Sequence, residues 1–304
     1  MTKVAAWNIY FSHKLIKKQN GQLSVDQQGR LDNVVQIIKD MDPDVLGIVE
    51  CMPADKLKYL LDNYLPGYDF VIQGTGWRLN LALIYKTANL DVKEVNFNRS
   101  RWKDQLGDDS QMKFYKWTRI PLIAEVKDKA SGRVVLVAVV HPKSKKVYSS
   151  GAEGEAEAYD NRKRIVAEGR RLHSIMWQKA RNRPEYEKFL IMGDINDGPW
   201  FDKYEARILR SGVESHIGRV YDPDTVLHSF VDLTDERGIS TTPASWGAPQ
   251  LDHMLYTHSL AHGDAKPRVV TDSGRVRNDL VDFSSGSGKT TDSDHIPVEV
   301  RIDL

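Results

Sequence analysis

Cysteine is nearly absent from this 304-residue chain. Cys51 stands alone, which excludes an internal disulfide framework and any multi-cysteine zinc site. An excess of charge of one sign is missing too: 43 basic residues meet 42 acidic ones for a net charge of +1, so no global polycation attraction to nucleic acid is available. Affinity for phosphate has to come from local clusters. No apolar run approaches the roughly 18 residues of a membrane span, and Met1-Thr2-Lys3 leads into Val4–Trp7 without an apolar signal region. The expectation is a soluble, cytoplasmic protein with no stable membrane association, a monomer by default. Internal repeats and domain-parting linkers are also lacking, so residues 1–304 read as one domain.

A hydrophobic content of 40% supplies a substantial core. Val4–Trp7, Val45–Val49, Arg133–Val140 and Phe189–Met192 read as buried strands, with Leu251–Tyr256 and Ile296–Ile302 as later ones. Leu31, Val34, Val35, Ile38 and Met41 fall at helical spacing, as do Leu57, Leu60, Leu61 and Tyr64. A long charged helix is expected from Tyr159 to about Ala180. Residues 12–30 read as a polar surface loop, 98–118 as a long loop mixing cations with aromatics, and 147–157 as a small, acidic, mobile loop. Strands alternating with helices, plus hairpin-like pairs, argue for a mixed sheet with helices outside.

The stretch Ile191-Met192-Gly193-Asp194-Ile195-Asn196-Asp197-Gly198 organises the rest. Gly193 ends an apolar strand and lets the backbone approach whatever sits beyond it, and Asp194 and Asn196 follow two residues apart, on one face of an extended segment. A carboxylate and a carboxamide so aimed suit the orienting of a water beside a metal-bound phosphate; an Asx turn closing a loop is the alternative. The same arrangement recurs: Asn8, Glu50 and His141 each follow an apolar strand, Asp252 opens a later one, and Asp294-His295 precedes the last. Ligands of open α/β sheets sit outside the strands' carboxyl ends, so one coherent site is the economical reading. Glu50 is a suitable Mg²⁺ ligand. Asp252 is a candidate to fix the His295 tautomer. Lys143, Lys145 and Lys146 place positive charge beside His141, or simply solvate a loop.

Trp7-Asn8, Ile48-Val49-Glu50, His141-Pro142-Lys143-Ser144-Lys145, Gly193-Asp194-Ile195-Asn196, Leu251-Asp252-His253 and Ser293-Asp294-His295 resemble the successive motifs of the endonuclease/exonuclease/phosphatase superfamily, the deoxyribonuclease I-like fold. The resemblance implies an α/β protein, a four-layer α/β sandwich of two packed mixed β-sheets flanked by helices. It also implies Mg²⁺- or Mn²⁺-dependent hydrolysis of a phosphate ester by direct attack of water. Glu50 would bind the metal, supported by Asn8 and Asp294. Asp194 and Asn196 would position and activate the water. His295, oriented by Asp252, would contact the phosphate or serve as base, and His141 would stabilise the phosphoryl oxygens or protonate the leaving oxygen. A histidine at position 141, where the apurinic-site repair branch has tyrosine, tilts the resemblance toward the deoxyribonuclease I side. His-x-Lys-Ser-Lys is similar to bacterial nucleases of the superfamily.

Nucleic acid, DNA first, is thus the expected partner. Lys143, Lys145 and Arg119 are candidate phosphate contacts, and Trp102, Trp117 and Trp200 candidate base-stacking residues. Two other readings stand beside the nuclease: a phosphatase or phosphodiesterase of the same superfamily acting on phosphoinositide or sphingomyelin-type head groups, and a non-catalytic binding protein on this fold. Ser287-Gly288-Lys289-Thr290 lacks the first glycine of a P-loop, and Leu79 breaks the dinucleotide fingerprint after Gly74-Thr75-Gly76.

Overall fold

The computed structural model describes residues 1–74, 79–198, 201–218, 226–229, 241–242, 250–281 and 293–304. The first half of the chain runs β1 (Thr2–Asn8), β2 (Ile16–Gln19), β3 (Gln22–Val25), α1 (Gln28–Met41), β4 (Val45–Cys51), α2 (Ala54–Tyr64), β5 (Tyr68–Gln73), β6 (Asn80–Lys86) and β7 (Leu90–Glu94). It continues through β8 (Trp102–Asp104), β9 (Lys113–Tyr115), β10 (Leu122–Asp128), β11 (Val134–Val140), α3 (Gly151–Asn182) and β12 (Phe189–Asp194). The remainder is α4 (Lys203–Ile208), α5 (Gly212–Ile217), β13 (Leu227–Ser229), β14 (Asp252–Thr257), α6 (His258–His262), β15 (Arg268–Val269), β16 (Arg275–Val276) and β17 (Val298–Asp303).

Two mixed sheets result. One has the order β15-β17-β1-β4-β6-β5, with β16 also on β17; the other has the order β13-β14-β12-β11-β10-β7. Period-2 alternation assigns their faces. Val4 and Ala6 of β1 point between the sheets, where they meet Val137, Val139, Met192 and Met254. Ala5 and Trp7 point outward under Leu31, Val34 and Ile38 of α1 and Leu57 and Leu61 of α2. On the opposite side Leu172, Ile175 and Met176 of α3 cover Ala138, Ile191 and Leu255. The layers are therefore helix, sheet, sheet, helix, as expected. Each buried Val, Leu or Ile contributes about 1.5–3 kcal/mol relative to exposure, and the strands read as apolar runs because both faces are covered.

The chain departs from the sequence reading at three places. Residues 12–30 are not one loop: β2 and β3 form a hairpin, and α1 begins at Gln28. Residues 98–118 contain the β8–β9 hairpin. Residues 147–157 are mostly the first turns of α3, because Ala152, Glu153, Glu155, Ala156 and Glu157 are strong helix formers. Glu157 accepts from the Tyr148 and Ser149 amides at 3.0 and 2.9 Å, tying down the chain ahead of the helix.

Strand direction decides where polar residues gather. β1 runs parallel to β4, and β11 parallel to β12, so Asn8, Glu50, His141 and Asp194 emerge together at carboxyl ends. The antiparallel partners β17 and β14 begin at that same edge. This brings in His295 just ahead of β17 and sets Asp252 directly opposite Asp194.

Candidate active site

Asp194 is the centre of the cluster, and burial leaves it 2% exposed. Its Oδ2 accepts from Asn8 Nδ2 at 2.9 Å, a bond that crosses from one sheet to the other. Its Oδ1 accepts from the Asn196 amide at 2.7 Å, which closes an Asx turn. The Asx-turn alternative for the octapeptide is therefore realised, and the turn is the means by which the carboxylate is aimed. Asn196 adopts φ 57°, and its side-chain amide donates to the Pro142 carbonyl at 3.3 Å, away from Asp194. Gly193 meets its close neighbour inside the sheet instead of beyond it. With φ at +130°, a Cβ there would overlap the Val140 carbonyl of the parallel strand β11.

Two imidazoles flank the carboxylate. His141 Nε2 lies 3.6 Å and His295 Nε2 3.8 Å from Asp194 Oδ2. On its far side His295 Nδ1 is bonded to Asp252 Oδ2 at 2.7 Å, and Asp294 Oδ1 stands 4.0 Å from Nε2. The backbone around His295 is fixed as well: Trp7 Nε1 donates to its carbonyl at 3.0 Å, Ser293 Oγ accepts from its amide at 3.0 Å, and that hydroxyl donates to the Asn8 carbonyl. Thr241 Oγ1 accepts from the Asp252 amide at 3.1 Å, and the Thr241 carbonyl accepts from the Ile296 amide at 2.8 Å.

The two imidazoles are driven to opposite protonation states. Burial disfavours the His295 cation, but Asp252, Asp194 and Asp294 outweigh it and raise its pKa to about 10. For His141, burial and then the nearby Arg119 and His295 charges act in the same direction and hold it well below the ordinary range, so it is neutral. Burial raises the Asp194 carboxyl, with Asp252 adding to the effect and His295 opposing it.

Glu50 is aimed by backbone irregularity. The β4–β6 register shifts between Ile48 and Cys51, and Glu50 takes φ 55°. Its Oε2 accepts from the Phe11 amide at 3.0 Å, and burial followed by Asp294 outweighs this bond and raises its pKa. Burial also raises Asp294. Among the described residues no three His, Cys, Asp or Glu side chains stand close enough to hold an ion unaided. Among the described residues, however, Asn8 Oδ1 and Asp294 Oδ1 are buried without a hydrogen-bond partner. Oxygen donors left open beside carboxylates that are costly to ionise fit a hard cation such as Mg²⁺, which takes one or two carboxylates and keeps much of its water.

The remaining sequence candidates divide. Arg119 reaches the cluster's edge, donating to the His141 and Pro142 carbonyls at 3.1 and 2.7 Å. Lys143 is half-buried, where burial and Arg164 lower its pKa. Lys145 turns away from the cluster to pair with buried Asp197 and, at 2.6 Å, with buried Glu205. Trp102 and Trp117 pack on each other at 4.8 Å, Trp117 being 8% exposed. Trp200 and Ser287–Thr290 lie outside the described residues. Asp197, Trp7 Nε1 and Thr241 were missed. Asp197 carries the one readable signal, a further carboxylate within the octapeptide, whereas Thr241 sits in a stretch without pattern.

Among solved structures, the human Nocturnin catalytic domain with bound sulfate anion is 18% identical, with 99% of this chain and 94% of that chain covered and a TM-score of 0.57. A Bacteroides thetaiotaomicron mannosyl-6-phosphatase is also 18% identical, all of both chains being covered, with a TM-score of 0.53. D. rerio TDP2 complexed with single strand DNA product is 12% identical over 100% of this chain and 99% of that chain, with a TM-score of 0.58. At such identities the likeness speaks for the fold. No curated protein sequence matches the chain. The Endonuclease/Exonuclease/phosphatase family model matches residues 5–295, a span that takes in Asn8, Glu50, His141, Asp194, Asp252 and His295. The chain belongs to the endonuclease/exonuclease/phosphatase family of hydrolases.

Proposed function

We propose that this chain, acting as one domain, is a divalent-metal-dependent nuclease that hydrolyses phosphodiester bonds in DNA, with RNA as a second polymer, by direct attack of water. The observation that carries the reading is Asp194 held from both sides, by Asn8 and by the Asn196 amide, with two imidazole nitrogens within 3.8 Å. The raised Asp194 carboxyl suits a base that takes a proton from an attacking water near neutral pH. His295, kept cationic by its three carboxylate neighbours, is a poor base and a good partner for phosphoryl oxygens. Neutral His141 can present an Nε2 proton to a phosphoryl or leaving oxygen. When bound by Glu50, with Asn8 and Asp294 alongside, Mg²⁺ or Mn²⁺ supplies Lewis-acid polarisation of the phosphoryl group. The polymer substrate is favoured by Arg119 at the cluster's edge, and by TDP2, a relative in fold, having been captured with a single-strand DNA product.

The test is plasmid nicking and oligonucleotide cleavage with Mg²⁺ or Mn²⁺, against controls in EDTA and against Asp194→Ala and His295→Ala. Each variant is expected to lose roughly 10²-fold or more, and EDTA to abolish activity. Undiminished cleavage by both variants removes the assignment. Release of phosphate from a sugar phosphate, or from lipid vesicles, without any nicking assigns a phosphatase of the same family instead.

A further inference from the structure

The β8–β9 hairpin has two unlike faces. Its register, Trp102 opposite Tyr115 and Lys103 opposite Phe114, sends alternate residues to opposite sides. Trp102 and Tyr115 face inward, where Tyr115 and Leu106 pack on Val166 and Ala167 of α3 and on Ile208. The nearby acids are engaged elsewhere: Asp104 pairs with Arg170 at 3.1 Å, and Asp109 with Lys163 at 2.6 Å and with Lys113. The outward side carries Arg101, Lys103, Phe114 and Lys116, with no acid among them. Among the described residues these three cations make no ion pair. The Phe114 ring is 58% exposed, with the Arg101 guanidinium 4.6 Å and the Lys103 ammonium 4.9 Å from its centroid. A large apolar ring held in water between two cations does nothing for the core, and exposed cation–π contacts are worth only about 0.5–1 kcal/mol.

We infer that this outer face is a platform for an unpaired stretch of nucleic acid, with Phe114 stacking on a base and Arg101, Lys103 and Lys116 meeting the flanking phosphates. The inference rests on the nuclease reading above and adds to it a binding site that favours single strands. A bare π-face accepts any unpaired base, and stacking on it is worth about 1–3 kcal/mol per base. Phosphate contacts supply the charge complementarity, which the near-neutral chain as a whole does not. The platform is coupled to the catalytic edge by covalent chain: Arg119 lies five residues on from Phe114, at most roughly 18 Å when extended. A strand whose scissile phosphate lies at Asp194 could thus continue past Arg119 onto the hairpin. The stacking residue is then a phenylalanine on a period-2 face and not the tryptophans, of which Trp102 is on the hairpin's inner side and Trp117, beyond it, is buried.

The test uses a fluorescein-labelled oligothymidylate of about 12 nucleotides, titrated by anisotropy in EDTA, together with turnover of bis(4-nitrophenyl) phosphate in Mg²⁺. Phe114→Ala should weaken oligonucleotide binding about 5- to 150-fold, and Phe114→Trp should restore it. The double variant Arg101→Ser/Lys103→Ser should reduce the slope of log affinity against log salt by about 1.4. Turnover of the small ester should be unchanged in all of them. If the wild type cleaves oligonucleotides while Phe114→Ala and the double variant bind them with undiminished affinity and salt slope, the platform is overturned and the nuclease reading stands. A wild type that turns over the small ester yet neither binds nor cleaves any oligonucleotide overturns both.

Discussion

Replacing Asp252 with asparagine tests the electrostatics of the site directly. Asp252 is fully buried, and its Oδ2 sits 2.7 Å from His295 Nδ1. A unit charge pair at about 4 Å, taken at an effective dielectric of about 20, is worth roughly 4 kcal/mol, or about three pKa units. Asparagine keeps the shape and an oxygen acceptor but removes the charge. The His295 pKa should therefore drop from about 10 to about 7. At about pH 8 only about one molecule in ten would then carry the imidazolium. If His295 acts as a cation on the phosphoryl group, the alkaline limb of kcat/KM should move down by about two to three pH units. The drop at about pH 8 should be on the order of 10-fold from protonation alone, with a further loss where the carboxamide holds the wrong tautomer. The assay is initial-rate cleavage of a labelled oligonucleotide in Mg²⁺ between about pH 5 and about pH 10. An alkaline limb that stays in place in Asp252→Asn, with reduced rates at every pH, refutes the cationic role and leaves Asp252 a positioning group only.

Glu168 of α3 is fully buried and takes both its hydrogen bonds from Thr118, at 3.0 Å from the amide and 2.6 Å from the hydroxyl, yet burial still lifts its pKa from 4.5 to about 7. A carboxyl raised on folding binds its proton more tightly in the native state, so its contribution is full below about 4.5 and is lost as pH climbs through about 7. Glu168→Gln should flatten urea stability over that window and leave the variant about 3 kcal/mol more stable than wild type at about pH 8; a pH dependence equal to the wild type's contradicts this. Lys145→Met should destabilise by about 3–5 kcal/mol, because it strands buried Asp197 and Glu205 without their cation. Burial and then Asp197 place the Glu205 pKa at about 7, so the loss measured in urea should be smaller at about pH 6 than at about pH 8, the proton on Glu205 relieving the repulsion. Equal losses at both pH values would mean that Lys145 acts through packing.

The strand ends were legible because buried strands appear as unbroken apolar runs, and a polar residue closing such a run is conspicuous. Asn8, Glu50, His141 and Asp194 stood out in that way, and Asp252 and His295 as polar residues at or just ahead of the start of such a run. The side-chain directions were not legible. That Lys145 folds back onto Asp197 and Glu205 depends on α4 approaching the loop after β11, a contact between residues 60 apart in sequence. Trp102 and Trp117 attracted attention by residue type, but the β8–β9 pairing decides which side of the hairpin Trp102 takes, and Trp117 beyond it is buried in the core. Strands as short as Lys113–Tyr115 leave too few residues for a period to stand out. In 147–157 attention to small and acidic residues masked a strong helix propensity.

The hydrogen bond between Asn8 and Asp194 has a consequence for how this protein could diversify. Its donor belongs to one sheet and its acceptor to the other, so the spacing of the clustered polar groups is written into the hydrophobic filling between them. That filling is tight: a Cβ added at Gly47 would come 2.7 Å from Met192 Cε. A substitution deep in that filling would act like a shim in a vice, opening or closing the jaws formed by the two sheet edges without touching a single polar residue.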